Sequence, residues 1–251
     1  MPVLDPDANE LILRVVYDGP PEAGKTTSLR ALASSLDQPS ITPEEDERGR
    51  TLWFDWMEYV GGMFEGRRIR CQIVSVPGQR EHGARRRAIL DTADVVVFVG
   101  DTTAPRWELS LSYLRDLHAL FAADLPARGI VFQANKRDAS DALPLPEVRS
   151  QLGDAQFAVG IVSSVAADGT GIREAFVYAV QLALDRVREL LRLGTLPTTP
   201  PPLHSSHELL GALGGPTDGT RPRIADAGTS LAASALGEVI ARELGAVDEA
   251  W

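Results

Sequence analysis

Between residue 11 and about residue 193, short apolar runs alternate with stretches in which apolar positions recur every three or four residues. That alternation predicts an α/β domain in which helices connect the strands of a mostly parallel sheet. LILRVVYDG (residues 11–19), TLWFDWMEYV (51–60), RIRCQIVSVPG (68–78), DVVVFVGD (94–101), GIVFQANKRD (129–138) and the weaker AVGIVSSVA (158–166) read as six strands. GGMFEGR, between the second and third, suits a tight reversal. The fourth and fifth are apolar and β-branched throughout, as strands buried on both faces should be. TTSLRALASSL, ARRRAILDTA, RWELSLSYLRDLHALFA and LPEVRSQL fit helices, and IREAFVYAVQLALDRVRELLRL a long amphipathic one that stops at Gly194.

Beyond Gly194 the pattern breaks. Residues 195–230 are rich in Pro, Gly, Ser and Thr, which reads as a linker or disordered tail. Leu236, Val239, Ile240, Leu244 and Val247 then return to helical spacing, predicting a helix near 231–247 with Ser230 as its N-cap. The expected division is a domain over 1–194 and a tail over 195–251. No internal repeat is visible.

Composition narrows the function. The chain has 251 residues, 44% of them hydrophobic and 24% charged, enough to bury a full core. A net charge of −10 argues against a nucleic-acid partner, whose phosphates demand Lys and Arg. One cysteine, Cys71, excludes an internal disulfide and suits a reducing compartment. No leader, spanning or lipidation signal is apparent, so a cytoplasmic location without integral membrane association is expected.

Gly19-Pro-Pro-Glu-Ala-Gly24-Lys25-Thr26 matches the phosphate-loop pattern G-x-x-x-x-G-K-[ST] between a predicted strand and a predicted helix. In such a loop, backbone N–H groups and the helix N-terminus converge on phosphates while Lys25 neutralises the β and γ groups. The Thr26 hydroxyl is placed to ligate Mg²⁺. Pro20 and Pro21 remove two donors, but Glu22, Ala23, Gly24, Lys25, Thr26 and Thr27 keep theirs. The Glu22 carboxylate must face solvent, because like charge beside phosphate is unfavourable. Gln133-Ala-Asn135-Lys136-Arg137-Asp138 ends a later strand. Its N-K-x-D lets Asp138 accept two hydrogen bonds from guanine, which adenine cannot supply. Lys136 can lie along the base, and Asn135 can tie this loop to the phosphate loop.

With these motifs in this order, residues 11–190 resemble a Ras-like small GTPase, more closely the bacterial MglA-type branch that governs cell polarity and gliding. GPPEAGKTT is similar to its phosphate loop, RTLWFDW to switch I, SVPGQ to switch II, QANKRD to its guanine motif and SSVAADGTGI to its last base-contacting loop. The resemblance implies a P-loop G domain with a mostly parallel six-stranded sheet and helices on both faces. It implies GTP and GDP as ligands, Mg²⁺ as cofactor and a roadblock/longin-type regulator as partner. Thr51 would sense the γ-phosphate through the metal, Gly78 would offer its N–H, Gln79 would orient the attacking water, and Val165 and Ala166 would meet the base by backbone. Arg50 stands where that branch carries an internal arginine finger.

Two departures matter. Ser75 replaces the aspartate of the usual D-x-x-G, which predicts weaker metal binding at rest. Pro21 replaces a glycine near where Gln79 and Arg50 would meet, which keeps a non-hydrolysing, nucleotide-gated scaffold open as the alternative. An ATP-using kinase or motor would need a different base site. Other features have plain readings. The cluster Arg80, Arg85, Arg86 and Arg87 reads as a solvated face or a docking surface. Trp53 and Trp56 read as core or effector surface, and Cys71 as a small core residue. His204 and His207 have no accompanying metal ligands.

Overall fold

The computed structural model describes residues 2–38, 54–76, 83–154, 159–198 and Leu209. Seven strands form one sheet: β1 (Val3–Asp5), β2 (Glu10–Asp18), β3 (Trp56–Phe64), β4 (Arg67–Ser75), β5 (Val95–Asp101), β6 (Gly129–Asn135) and β7 (Gly160–Ser163). Among the described residues, four α-helices connect strands, α1 (Lys25–Ser35), α2 (Gly83–Asp91), α3 (Trp107–Phe121) and α4 (Leu145–Asp154), and a fifth, α5 (Ile172–Arg192), follows β7. The order across the sheet is β3-β4-β2-β5-β6-β7, the six strands expected, and β1 adds a short antiparallel seventh beside β2. β2, β4, β5, β6 and β7 run parallel, and only β3 and β1 oppose their neighbours.

Period-two alternation sorts the strand side chains between two cores. Val95, Val97 and Val99 join Leu11, Leu13 and Val15 in the layer covered by α1 and α5. Val96 and Phe98 face the other way, with Val16, Val74 and Phe132, under α2, α3 and α4. β5 is buried at every position, so its run of branched residues has no polar face to offer. Trp56 and Cys71 are both core residues, 3% and 1% exposed. Burial also pushes the Cys71 thiol up to about 12, as expected for an inert packing group.

The reversal in GGMFEGR is tighter than expected. β3 continues through both glycines to Phe64, and the turn is Glu65-Gly66 alone. Gly61 and Gly62 instead occupy a register shift between Val60 and Met63, a bulge in β3. α5 ends at Arg192, and Gly194 just beyond it supplies the expected stop, its φ of 66° permitting the left-handed cap while the Thr195 N–H donates to the Leu190 carbonyl. After that stop the chain still touches the domain. Leu196 packs on the first core, the Leu4 N–H donates to the Pro197 carbonyl, and Leu209 is fully buried in the second core. A purely detached linker does not describe those three positions. The helix expected at 231–247 lies outside the described residues.

Because five strands are parallel, their carboxyl ends share one edge, where an open α/β sheet binds ligands. β3 is antiparallel to β4, so it brings its N-terminal end to that same edge. No described helix is long and apolar enough to cross a membrane.

Candidate functional site

The carboxyl edge gathers the loop after β2, the loop after β6 and the loop after β7. Gly19 opens the first of these, and a side chain there would put its Cβ 2.2 Å from the Val99 carbonyl oxygen. Only glycine lets the loop leave β2 so close to β5. Gly24, just before α1, has φ of 106°, and a Cβ on it would lie 2.3 Å from Nδ2 of Asn135. Both glycines of the phosphate-loop pattern are therefore required by contact as well as by dihedral.

Lys25 begins α1 and is buried. Its ammonium donates to the carbonyl oxygens of Gly19 (2.9 Å) and Pro20 (2.8 Å), which folds it back across its own loop. Desolvation lowers its pKa to about 8, opposed by the Asp18 carboxylate and reinforced by Arg86. A buried ammonium held by carbonyls alone is poised to gain from an anion. The Ala23 N–H closes a turn on the Pro20 carbonyl at 3.4 Å. Thr27 lies on the exposed side of α1 and Thr26 is half-buried. Glu22 takes a positive φ of 64°, and its side chain is 60% exposed and paired with Arg106. Its carboxylate thus points away from the loop interior, as like-charge repulsion requires.

Asn135 ends β6 and joins all three loops. Its Nδ2 donates to the Ala23 carbonyl at 2.7 Å, and its Oδ1 accepts from the Ala166 N–H (2.9 Å) and the Ser164 hydroxyl (3.1 Å). Lys136, with φ of 62°, donates to Asp101 at 2.7 Å. Asp101 is itself held by the Thr103 N–H and hydroxyl, so the lysine stem is fixed. Asp138 follows, exposed. Val165 and Ala166 begin a turn closed by the Val165 N–H to the Thr170 carbonyl, 3.0 Å. Gly19, Glu22, Ala23, Gly24, Lys25, Thr26, Asn135, Lys136, Val165 and Ala166 therefore all border this one edge. Arg50, Thr51, Gly78 and Gln79 lie outside the described residues.

Two contacts were not anticipated from the sequence. Asp55, immediately before β3, is fully buried and accepts hydrogen bonds from Thr26 Oγ1 (2.7 Å) and Ser75 Oγ (2.5 Å). Asp18, the last residue of β2, is fully buried too and receives Arg86 of α2 in two parallel bonds of 2.8 and 2.6 Å. Arg86 also lies over the Tyr113 ring, 5.1 Å from its centroid. Arg86 is consequently no member of a solvated basic face. Each had one available sign: an acidic residue set between apolar residues of a strand pattern.

Thr26, Asp55 and Ser75 present hydroxyl and carboxylate oxygens only, the donor chemistry that suits Mg²⁺. Among the described residues no group of three or more His, Cys, Asp or Glu side chains could hold a metal by itself. A cation here would need phosphate oxygens to complete its shell, so the residues present fit a nucleotide-bound Mg²⁺.

In sequence, the chain is similar to the mutual gliding-motility protein MglA of Myxococcus xanthus (strain DK1622). The two are 29% identical over 195 residues, which is 75% of this chain and 99% of that protein. No protein-family model matches the chain.

Proposed function

We propose that this chain, similar in sequence to MglA, is a Ras-like small GTPase of the MglA type that binds GTP and GDP and acts as a hydrolysing switch. The observation that carries the reading is Asn135, which ties the phosphate loop at Ala23 to the base loop at Ala166 through one side chain. A nucleotide laid across that edge meets the amides from Glu22 to Thr27 and the Lys25 ammonium at its phosphates. At its base it meets the backbone at Val165 and Ala166, the Lys136 stem and the Asp138 carboxylate. Guanine satisfies Asp138 with two donors, whereas adenine leaves it unpaired.

A Mg²⁺ ion bound with the nucleotide would supply positive charge to offset that of the phosphates. Thr26 and Thr51 are the chain's hydroxyls for it. For hydrolysis, Gln79 positions a water against the γ-phosphorus, Gly78 offers an amide to the γ-oxygens, and Arg50 together with Lys25 stabilises the charge that develops there. The new bond is from water oxygen to phosphorus, the broken one is from phosphorus to the β–γ bridging oxygen, and the products are GDP and phosphate. A motility role, as in the relative's name, and control by a roadblock/longin-type protein belong to the same proposal.

Multiple-turnover phosphate release, GTP against ATP, with and without such a regulator, tests it. Release is expected from GTP only. Gln79→Ala should lower the rate by about 10²-fold or more while GDP affinity stays within roughly threefold. Tight GTP binding with no release under any condition would leave only a nucleotide-gated scaffold.

A further inference from the structure

We infer that the buried Asp18–Arg86 pair sets the charge behind the phosphate loop: Arg86, reaching in from α2, cancels a carboxylate that would otherwise oppose a bound polyanion. The inference rests on the nucleotide reading above. It makes Arg86 a positioning residue that acts through Asp18, a role no motif assigned to either.

The need for Arg86 begins with where the sequence puts Asp18. Asp18 is the last residue of β2, one position before Gly19, where the phosphate loop starts. Alternation along β2 turns it to the same face as Val16, the side covered by α2 and α3, and it is fully buried there. An anion in that position is unfavourable twice over. It gives up its hydration, and through a low-dielectric interior it repels phosphate more strongly than it would through water. It also competes for the loop's own cation. Lys25 donates to the carbonyl of Gly19, the neighbour of Asp18, at 2.9 Å. Among the charges acting on that ammonium, Asp18 attracts it most strongly.

Arg86 counters both effects. Its Nε and Nη2 donate to the two Asp18 oxygens at 2.8 and 2.6 Å, so the whole carboxylate is engaged. The guanidinium is held from the far side by the Tyr113 ring, 5.1 Å to its centroid, and by the Tyr113 carbonyl, 3.4 Å from Nη2. The same cation repels the Lys25 ammonium, which leaves the lysine to its loop carbonyls and to incoming phosphate.

Charge compensation has a signature that a purely structural tie lacks. Neutralising either partner breaks the same ion pair, so a tie predicts the same direction of effect from both. Compensation predicts opposite directions. Calorimetric GDP affinity of the full-length protein at fixed Mg²⁺ tests this. Arg86→Gln should weaken GDP about tenfold or more, because it strands the buried anion. Asp18→Asn should tighten GDP about threefold or more, because it leaves the cation uncompensated. The double variant should recover most of the affinity lost in Arg86→Gln. Weaker binding in both single variants, unchanged binding in both, or a double variant no better than Arg86→Gln would overturn the inference. If Arg86→Gln does not fold, the Asp18→Asn result decides alone: tighter binding supports the inference, and weaker or unchanged binding overturns it. If Asp18→Asn does not fold, recovery in the double variant decides in the same way. An unaltered protein that binds no GDP would instead remove the nucleotide reading.

Discussion

The two edges of the sheet both bury charge, and they do so in different ways. At the amino edge, Arg14 within β2 donates through Nε and Nη2 to Gln72 across the β4 ladder (3.2 and 2.7 Å) and lies 5.6 Å from the Trp56 ring centroid. The Arg14 N–H donates to Asp94, whose other carboxylate oxygen stands 3.8 Å from Arg186. Glu10 meets Arg70, which also reaches Glu58. These groups sit in or beside regular strands, and Arg14, Gln72, Asp94, Arg186 and Glu10 are buried among protein atoms. At the carboxyl edge, the buried groups stand at the ends of elements, where Asp18 closes β2, Ser75 closes β4, Asn135 closes β6 and Lys25 opens α1; the ammonium is held by carbonyls and the Thr26 and Ser75 hydroxyls by the Asp55 carboxylate. Ladder-borne polar networks of the first kind specify the fold. Those of the second kind hold the connecting loops in one shape, which is what the proposed nucleotide site would need.

The contrast predicts separable effects. Gly24→Ala strikes the carboxyl edge hardest, since its Cβ meets the Asn135 amide and its φ is disallowed for alanine. GDP affinity should fall on the order of a hundredfold, read by calorimetry, with the thermal midpoint little moved. An affinity loss below about fivefold would show that the loop does not need its present shape. Gln72→Leu strikes the opposite edge by removing the acceptor that buried Arg14 uses. It should cost about 2 kcal/mol in urea unfolding and leave GDP affinity within about twofold. Coupling between the two, with Gln72→Leu weakening GDP more than roughly fivefold, would dissolve the division.

How legible these edges were follows the same line. The glycine-bounded turn from β2 into α1 and the close of β6 at Asn135 were readable because each pattern lies in consecutive residues, as were the buried β5 and the stop at Gly194. Asp55 was not, because its partners Thr26 and Ser75 lie far away in sequence and meet it only through the antiparallel pairing of β3 with β4. Arg86 was read as part of a basic run, since nothing local to α2 points to Asp18 some seventy residues earlier. β1 has three residues, too few for any periodicity to register. The glycine pair at 61–62 looked like a turn and is a bulge, because β3 continues past it until Glu65-Gly66 reverses the chain.

Glu22 offers the smallest effect and the finest test of the contrast, because its charge, carried on the phosphate loop itself, faces outward. Its carboxylate pairs with Arg106, but both side chains are well exposed, 60% and 42%. Water and salt screen such a pair, so it contributes little to stability. Its distance from the loop interior likewise limits its repulsion of bound phosphate. Glu22→Gln should therefore leave the thermal midpoint unchanged and strengthen GDP binding by no more than about threefold, the gain shrinking as salt is raised. A tenfold gain at low salt would mean that the carboxylate turns inward when nucleotide binds, and that this loop is less rigid than its ties to Asn135 imply. A loss of affinity would mean that Arg106, once released from Glu22, is a poorer neighbour for the phosphates than the pair it left.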